Sequence, residues 1–394
     1  MSEVLIAGAV RTAMGKFQGA LSSYSAPRLG SLVVKESIKR VGIKPEMVNE
    51  VIMGNVISAG LGQNPARQAA LWGNVPEGVG ALTINKVCGS GLKAVMLACS
   101  TIKAGDAEVI IAGGMENMTN APYLLREIRT GQRLGHGQLV DAMICDGLWD
   151  AYNDFHMGMT AELVADKYKI SRRMHDEFAA NSHQKAMRAT SEGRFKEEIL
   201  PLEISQGKNK PLLIFDQDEG PRSDTSAEKL SQLKPAFKPD GTVTAGNASQ
   251  ISDGASALVV MSGDFTKKNA IKPLCQVTGY AVGGLAPAWV MMAPQEAIKN
   301  LLVKTKMKIE EFDLIELNEA FSAASLALIQ ELKLDPKKVN INGGAVALGH
   351  PIGCSGARLL TTLIYALRQR NLKKGLAALC LGGGNAVALS IEIV

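Results

Sequence analysis

A cysteine lies in the segment INKVCGSGLKAV, residues 84–95, between a β-branched stretch and a run of helical character. At such a strand-to-helix turn, Cys88 would stand at the positive end of a helix, where free N–H groups and the helix dipole favour the thiolate. Gly89 and Gly91 would leave room for a sharp turn and for a substrate. The segment predicts a nucleophile on a tight elbow, by analogy with hydrolase serines, although a small buried cysteine fits it too.

Three further segments place reactive side chains at strand ends or in glycine-rich loops. His350 lies in GGAVALGHPIGCSGAR, residues 343–358, where a histidine serves either proton transfer or a hydrogen bond that caps the loop. Cys380 ends the apolar strand of ALCLGGGNA, and the glycines after it suit a cradle of backbone amides for an oxyanion; a core position is the alternative. Asn318 and Glu319 follow the apolar strand LIEL. Asn318 would cap a helix, or hold a water molecule or a carbonyl group in a site.

The elements that would position these residues occur twice along the chain. LTINKVCGSGLKAV and VNINGGAVALGHPIGCSGAR each open a succession of strand, small-residue turn, helix, strand and glycines. Each half also begins with a strand, a helix and a second strand, and the two helices are predicted near residues 28–41 and 294–306. Strands that alternate with amphipathic helices predict parallel β-α-β units with right-handed crossovers. We therefore expect a duplicated α/β fold.

A stretch of different composition separates the two copies. It is rich in charged residues, methionine and turn residues, and it includes RTGQRLGHGQ and DQDEGPRSDTSAEK. A segment this long is not a plain connection in a compact protein. We expect an N-terminal core half over residues 1–118, a loop domain over 119–250, a return to the N-terminal half over 251–270, and a C-terminal core half over 271–394.

Composition excludes several classes of protein. The 394 residues are 46% hydrophobic and 21% charged, which predicts a large core. A net charge of +5 with scattered basic residues and 5% aromatic residues argues against a nucleic-acid surface and fits a polyanionic small molecule.

Six cysteines without CxxC pairs and five histidines predict neither disulfides nor a structural metal. The first residues lack a signal-peptide pattern, and no stretch of 18 uninterrupted apolar residues follows, so we expect a cytoplasmic protein outside the membrane.

Four blocks together resemble the thiolase family, in its biosynthetic type, over essentially the whole chain. They are NKVCGSGLKAV (85–95), NEAF (318–321), GGAVALGHPIGCSGAR (343–358) and CLGGG (380–384), with support from GGMENM, HMGMTAE and GTVTAGNASQISDGA. The resemblance implies a duplicated α-β-α-β-α layered core with an inserted loop domain, commonly assembled as a homotetramer built from dimers. The mixed apolar and basic segment YLLREIRTGQRLGHGQLVD suits such a contact surface.

The resemblance also assigns catalytic roles. Cys88 matches the nucleophile that carries the acyl group, His350 the base that activates it and protonates the leaving CoA sulfur, and Cys380 the acid/base that takes a proton from the second substrate. Asn318 matches the residue that holds a water in one oxyanion hole, which His350 shares, and the amides of Cys88 and Gly382 match the second hole. The implied reaction condenses two acetyl-CoA to acetoacetyl-CoA and CoA, and reverses by thiolysis, through an acetyl-cysteine. It needs no metal or redox cofactor, since CoA is substrate and product.

The CoA site is implied in the loop domain and beside the NEAF block. The matching residues are Leu148, His156, Met157, Arg222, Leu233, Phe237, Ala245, Ser249, Ala320 and Phe321. Arg222 would meet the nucleotide end, because a guanidinium group stacks on bases and pairs with phosphate; an ordinary surface arginine is the alternative.

Two segments depart from the family pattern. GGGNA stands where biosynthetic members read GGGMG, and WVMMAP, residues 289–294, replaces a glycine-rich stretch. Both lie near the acyl pocket of the family, so they leave the preferred acyl length open.

Three alternative functions follow from the same residues. A degradative 3-ketoacyl-CoA thiolase would act on longer chains, whereas Met157 favours a short pocket. A Cys-His hydrolase would leave Cys380 and Asn318 without a role. A thiolase-fold binding subunit without turnover would have lost a catalytic residue, and all four are present.

Overall fold

The computed structural model describes residues 3–205, 207 and 211–394. Its strands are Val4–Thr12 (β1), Gly15–Lys16 (β2), Glu50–Gly54 (β3), Gly80–Ile84 (β4), Val109–Asn117 (β5), Tyr123–Leu124 (β6), Val140–Asp141 (β7), Trp149–Asp150 (β8), Phe155–His156 (β9), Ile199–Leu200 (β10), Leu202–Ile204 (β11), Leu213–Phe215 (β12), Ser252–Ser262 (β13), Cys275–Gly284 (β14), Leu314–Leu317 (β15), Lys374–Leu381 (β16) and Asn385–Ile393 (β17). Its α-helices are Ala26–Val41 (α1), Pro65–Trp72 (α2), Ser90–Ala104 (α3), Met157–Tyr168 (α4), Arg172–Ser191 (α5), Ala227–Ser231 (α6), Gly263–Lys268 (α7), Ala293–Thr305 (α8), Ser322–Glu331 (α9), Ala345–Leu348 (α10) and Ser355–Gln369 (α11).

The strand order of the main sheet shows the duplication of the chain. It runs β15-β16-β17-β14-β1-β13-β5-β3-β4, with β2 and β10 pairing to β13 and β1 at its side. The order β3-β5-β13-β1 of the first half is mirrored by β15-β16-β17-β14 of the second, and the halves meet where Leu5 pairs with Gln276. The predicted duplicated α/β fold is therefore confirmed.

The prediction of parallel units holds for only part of this sheet. β3 is parallel to β4 and β5, and β15 is parallel to β16, whereas β13 and β17 are antiparallel to their neighbours. β16 and β17 are joined by a glycine turn in which Gly383 and Gly384 have φ of +84° and +83°. Since a tight turn joins only antiparallel strands, this hairpin replaces the expected crossover.

Helices α3 and α11 form the central layer between the two halves of the sheet. Leu92 and Val95 of α3 share one apolar cluster with Leu360 of α11. Helix α1 covers one outer face, where Val33 belongs to a second cluster, and α8 covers the other, where Ile298 belongs to a third. The result is the predicted α-β-α-β-α succession of layers.

The sequences of these helices account for how much of each helix is buried. Residues 355–367 of α11 are all buried, as a helix that is enclosed on every side requires. On α1, by contrast, Arg28, Lys35 and Lys39 are exposed while the opposite face is buried. Among the described residues, the stretch 87–104 at α3 is long and apolar enough to cross a membrane, but 56% of it is buried inside the fold. A helix in the central layer needs this apolar composition because it is enclosed by other elements.

The segment 119–250 leaves the sheet after β5 and returns at β13. It carries three short antiparallel ladders, β6 with β7, β8 with β9 and β11 with β12, together with helices α4, α5 and α6. Among the described residues of this segment, only β10 joins the main sheet, where Ile199 pairs with Arg11 of β1. Helix α4 packs on α9, and α5 packs on α9 and α10. The division of the chain into the domains given above stays a prediction.

Candidate active site

Cys88 lies on a strained turn between β4 and α3. The preceding residue, Val87, has a φ of +46°, which a β-branched residue rarely adopts. The hydroxyl group of Ser90 holds this turn, because it donates to the carbonyl oxygen of Val87 at 2.6 Å and accepts from the amide of Lys86 at 2.8 Å. The predicted elbow is therefore present, and the cysteine precedes the helix by two residues.

Gly89 and Gly91 serve packing rather than access for a substrate. A Cβ atom on Gly89 would overlap the side chain of Leu381, and one on Gly91 would lie 2.7 Å from the backbone nitrogen of Ala357 in α11. The two glycines thus let the elbow approach β16 and the central helix layer closely.

The Cys88 thiol is protonated near neutral pH. Burial raises the pKa of Cys88 to about 12, although the amide N–H groups of Gly382 and of Cys88 itself donate towards the sulfur and act in the opposite direction. The negative charge of Glu116 raises it slightly further. The amides at the turn favour the thiolate, as expected, but removal from water outweighs them. Nucleophilic attack by Cys88 therefore needs a base.

His350 supplies an unprotonated imidazole in the same region. Its side chain is buried, and this burial, with a smaller effect of the Arg358 charge, lowers the pKa of His350 to about 3. Its Nδ1 lies 2.6 Å from the Ser355 hydroxyl oxygen, and its Nε2 lies 3.4 Å from Nδ2 of Asn318. The ring is neutral over the physiological range and is held on both sides.

Cys380 and Asn318 occupy the ends of neighbouring strands. Cys380 lies on β16, and its buried sulfur is 3.9 Å from the sulfur of Met291. Burial raises the pKa of Cys380 to about 12, and negative charge on Cys88 acts in the same direction. Asn318 follows the parallel strand β15, and its Oδ1 is buried without a hydrogen-bond partner among the described residues. A water molecule would satisfy such a buried acceptor.

One cavity of about 720 Å³ brings these groups together. Cys88, His350, Cys380 and Gly382 all line it, and Asn318 stands behind His350. The predicted CoA contacts that line the same cavity are Leu148, His156, Met157, Arg222, Phe237, Ala245, Ser249, Ala320 and Phe321. Leu233 is not among the lining residues; its side chain is 41% exposed and lies beside Gly246. The volume and the mostly apolar walls are typical of a small-molecule site.

Comparisons with known proteins agree with this geometry. The model of the family "Thiolase, N-terminal domain" matches residues 4–264, and that of "Thiolase, C-terminal domain" matches residues 271–393. The chain belongs to the thiolase family. It is 52% identical to an acetyl-CoA acetyltransferase of Pseudomonas aeruginosa, over 99% of both chains, and 52% identical to one of Cupriavidus necator, over 100% of both. Its fold matches the crystal structure of the Bacillus anthracis acetyl-CoA acetyltransferase with a TM-score of 0.98 and 44% identity, over 100% of this chain and 99% of that one.

The two departures from the thiolase pattern differ in their consequence. Val290 and Met291 of WVMMAP line the cavity. In GGGNA, Asn385 is exposed and accepts from Nζ of Lys86 at 3.2 Å, while Ala386 is buried in the core of the C-terminal half. Only the first departure therefore alters the wall of the thiolase cavity.

An aromatic pair builds the wall where CoA is expected. His156 precedes α4, and its Nδ1 accepts from the amide of Gly158 at 3.0 Å. Its ring stacks on Phe237 with 4.7 Å between centroids, and Phe321 meets Phe237 edge-on at 6.1 Å. Burial lowers the pKa of His156, so this wall is uncharged. Among the described residues, no group of three or more His, Cys, Asp or Glu side chains is placed to hold a metal ion.

Glu116, at the end of β5, was missed as a functional residue. Its buried carboxylate accepts from the amide of Gly353 at 2.9 Å, from the amides of Val56 and Ile57 at 3.0 and 3.2 Å, and from Nδ2 of Asn55 at 2.7 Å. Burial raises its pKa to about 7. The bond to Gly353 holds the loop that carries His350 from its C-terminal side. A glutamate near the end of the mostly apolar strand VIIAGGMEN was the available signal.

Glu319 holds the same loop from its N-terminal side. Its buried carboxylate accepts from the amide of Val346 at 3.1 Å, from the hydroxyl group of Ser182 at 2.7 Å and from Nδ2 of Asn340 at 2.8 Å. Glu319 stands out in the sequence as a polar residue after an apolar strand, but the sequence did not indicate its role. Its task in the structure is to connect the NEAF block, α5 and α10.

Proposed function

We propose that this thiolase is an acetyl-CoA acetyltransferase, which condenses two acetyl-CoA to acetoacetyl-CoA and CoA and catalyses the reverse thiolysis. The observation that carries the proposal is the convergence of two protonated thiols, Cys88 and Cys380, and the neutral imidazole of His350 on one cavity. Relatives that bear this name share about half of their residues with the chain along its whole length.

In the first half-reaction, the sulfur of Cys88 attacks the thioester carbon of acetyl-CoA. Nε2 of His350 takes the thiol proton as the S–C bond forms and passes it to the CoA sulfur as that bond breaks. The acetyl group remains on Cys88, and CoA leaves as the thiol. The amides of Cys88 and Gly382, which already point at the sulfur, stabilise the negative charge on the acetyl oxygen.

In the second half-reaction, Cys380 acts as a thiolate and removes a proton from the methyl group of a second acetyl-CoA. The enolate oxygen is stabilised by a water molecule on Asn318, whose Oδ1 is free to bind one. The enolate carbon attacks the acetyl carbon, and the bond to Cys88 breaks. Cys380 returns the substrate proton to the Cys88 sulfur and regains from solvent the proton that it gave up to become a thiolate, so the enzyme is unchanged.

Paired alanine variants test this division of labour. Cys88→Ala should abolish acetylation, because no sulfur remains to hold the acetyl group. Cys380→Ala should still acetylate at Cys88, while exchange of the acetyl-CoA methyl protons with deuterated solvent is lost and turnover falls by roughly 10²- to 10⁴-fold. Mass spectrometry of the digested protein locates the label. An acetyl group on another peptide, or rapid exchange in Cys380→Ala, contradicts the mechanism.

The acyl preference is tested by thiolysis. We expect kcat/KM for acetoacetyl-CoA to exceed that for 3-ketoacyl-CoAs of greater chain length, since Met157 and Met291 line the cavity and Met291 contacts the sulfur of Cys380. The opposite order would favour a degradative thiolase.

We infer further that the enzyme is a homotetramer in the cytoplasm. All six cysteines are free in the structure, which suits a reducing compartment. The segment 121–140 presents exposed apolar side chains that suit a contact between copies.

A further inference from the structure

The hydroxyl group of Ser355 lies against the nitrogen of His350 that is not directed at Asn318. Ser355 is the fully buried first residue of α11 and does not line the cavity. Its oxygen is 2.6 Å from Nδ1 of His350 and 2.9 Å from the carbonyl oxygen of Pro351. The reaction proposed above gives Ser355 no step of its own.

The hydrogen bonds of Ser355 favour one tautomer of His350. A serine hydroxyl has one proton to donate and lone pairs that accept. With its proton directed at Pro351, Ser355 accepts from Nδ1, and Nδ1 then carries the single proton of the neutral ring. Nε2 is left with a lone pair, and the donor group that faces it, Nδ2 of Asn318, is consistent with that assignment.

We propose that Ser355 is a positioning residue that holds His350 in the tautomer with the lone pair on Nε2, the nitrogen that removes the proton of Cys88. The inference rests on the proposed function. A buried N–H group without an acceptor is costly. Without the Ser355 oxygen, the proton of His350 therefore shifts to Nε2, where it blocks the base.

The contact between Ser355 and Nδ1 of His350 also explains why the partner of this nitrogen is a neutral hydroxyl group. A carboxylate beside Nδ1 would stabilise the imidazolium form and raise the pKa of the ring. The hydroxyl group orients the ring without adding charge, so His350 stays neutral before each turnover. Once the thiol proton arrives on Nε2, both nitrogens donate: Nδ1 still to Ser355, and Nε2 to the leaving CoA sulfur.

The test compares Ser355→Ala with the wild-type chain in single-turnover acetylation by acetyl-CoA. We expect the acetylation rate to fall roughly 10- to 100-fold, as for loss of a buried hydrogen bond that the reaction depends on. Half-saturation by acetyl-CoA should stay the same, because Ser355 does not line the cavity. Ser355→Thr keeps a hydroxyl group and should restore a large part of the rate.

A spectroscopic measurement separates tautomer control from general damage. Histidine labelled with ¹⁵N reports which ring nitrogen carries the proton, and the chain has only five histidines to assign. His350→Asn identifies the His350 signals by their loss. We expect protonated Nδ1 in the wild-type enzyme and protonated Nε2 in Ser355→Ala.

Thr361→Val is the matched control. Thr361 lies on the same helix, is equally buried, and its hydroxyl group bonds to Ser256 at 2.9 Å, away from His350. This variant should acetylate within about twofold of the wild type, since it changes neither ring nitrogen. If Ser355→Ala does not fold, Ser355→Cys, whose sulfur accepts weakly, takes its place.

The proposal is overturned if the Ser355 variant acetylates at the wild-type rate, if its His350 signals match those of the wild type, or if Thr361→Val loses as much activity. Failure of the proposed function is a different result: the wild-type chain itself would not acetylate at Cys88.

Discussion

Burial sets the protonation state of each reactive residue before a substrate arrives. Removal from water disfavours the charged form of all three groups, which raises the pKa of Cys88 and Cys380 and lowers that of His350. Proton transfer is therefore coupled to bond formation instead of preceding it. In the proposed reaction, attack by Cys88 moves a proton within a neutral set of groups, whereas enolate formation requires Cys380 without its proton.

The two half-reactions should consequently differ in their dependence on pH. Acetylation needs a neutral imidazole and a thiol, with pKa values of about 3 and about 12, so its rate should stay constant between about pH 6 and pH 9. Methyl-proton exchange needs the thiolate of Cys380, whose pKa is about 12, so it should rise with pH by up to about tenfold per unit. Quenched-flow mass spectrometry and deuterium exchange measure the two rates. Parallel profiles would contradict these roles.

The side chain of Met291 should limit the length of the acyl group. It lines the cavity and contacts the sulfur of Cys380 at 3.9 Å. Met291→Ala opens this wall, and we expect the ratio of kcat/KM for 3-ketohexanoyl-CoA to that for acetoacetyl-CoA to rise roughly tenfold or more, as for other pockets that fit a methylene group. The measurement is thiolysis at saturating CoA.

Met292→Ala is the matched control for Met291. Its side chain is as buried as that of Met291 but does not line the cavity. It should lower the free energy of unfolding by about 2–5 kcal/mol without changing the ratio of the two substrates. Equal shifts in the ratio for both variants would mean that loosening of the core, not the cavity wall, controls acyl length.

At the scale of elements, the loop between α10 and α11 needs carboxylates at both ends because it runs through the interior. Val346 and Gly353 flank His350, and their amides would be unpaired without Glu319 and Glu116. Glu116→Gln keeps the volume of the side chain, but it places an NH₂ donor where the backbone amides of the loop need an acceptor. We expect a loss of about 1–3 kcal/mol in the free energy of unfolding, and kcat to fall towards 100-fold, the effect of about 1 Å of misplacement at a catalytic group.

Glu198→Gln separates these two effects of Glu116→Gln. Glu198 is equally buried, but it pairs with Arg11 and Thr362 rather than with the histidine loop. This variant should lose stability and retain kcat. Urea unfolding and steady-state kinetics on both proteins decide the matter, and unchanged kcat in Glu116→Gln would exclude a role in holding His350.

The elements themselves could largely be predicted from the sequence. Helices expected near residues 28–41 and 294–306 form at Ala26–Val41 and Ala293–Thr305, because their periodic apolar faces lie at sheet surfaces. Strand direction could not be predicted in the same way. Periodicity is the same for parallel and antiparallel strands, and only the left-handed backbone of Gly383 and Gly384 shows that β16 turns directly into β17.

At the scale of the whole molecule, the residues of the cavity could be predicted and their supports could not. Cys88, His350 and Cys380 lie in local patterns of glycines and strands that a single segment displays. Glu116 and Gly353 are bonded to each other 237 positions apart, and no local pattern encodes such a pairing. The raised pKa of Cys88 could not be predicted for the same reason, since burial depends on what packs around the turn.

The exposed apolar segment 121–140 predicts how the molecule assembles. Leu134 is 96% exposed, Leu139 66% and Ile128 55%, which is costly for a chain that stays alone in water. Pairing of dimers through this segment would remove the three side chains from solvent. We expect light scattering to give the mass of four 41.8 kDa chains for the wild type, and that of two for Leu134→Asp.

Val303→Asp provides the comparison for this prediction, because Val303 is 80% exposed on α8 and lies outside the segment. A charge there meets only water, so that variant should stay tetrameric, while a charge at position 134 would have to be buried unpaired between dimers. The Leu134→Asp dimer should still acetylate at Cys88, since residue 134 does not line the cavity. A wild-type monomer, or equal dissociation of both variants, would remove the segment as the contact between dimers.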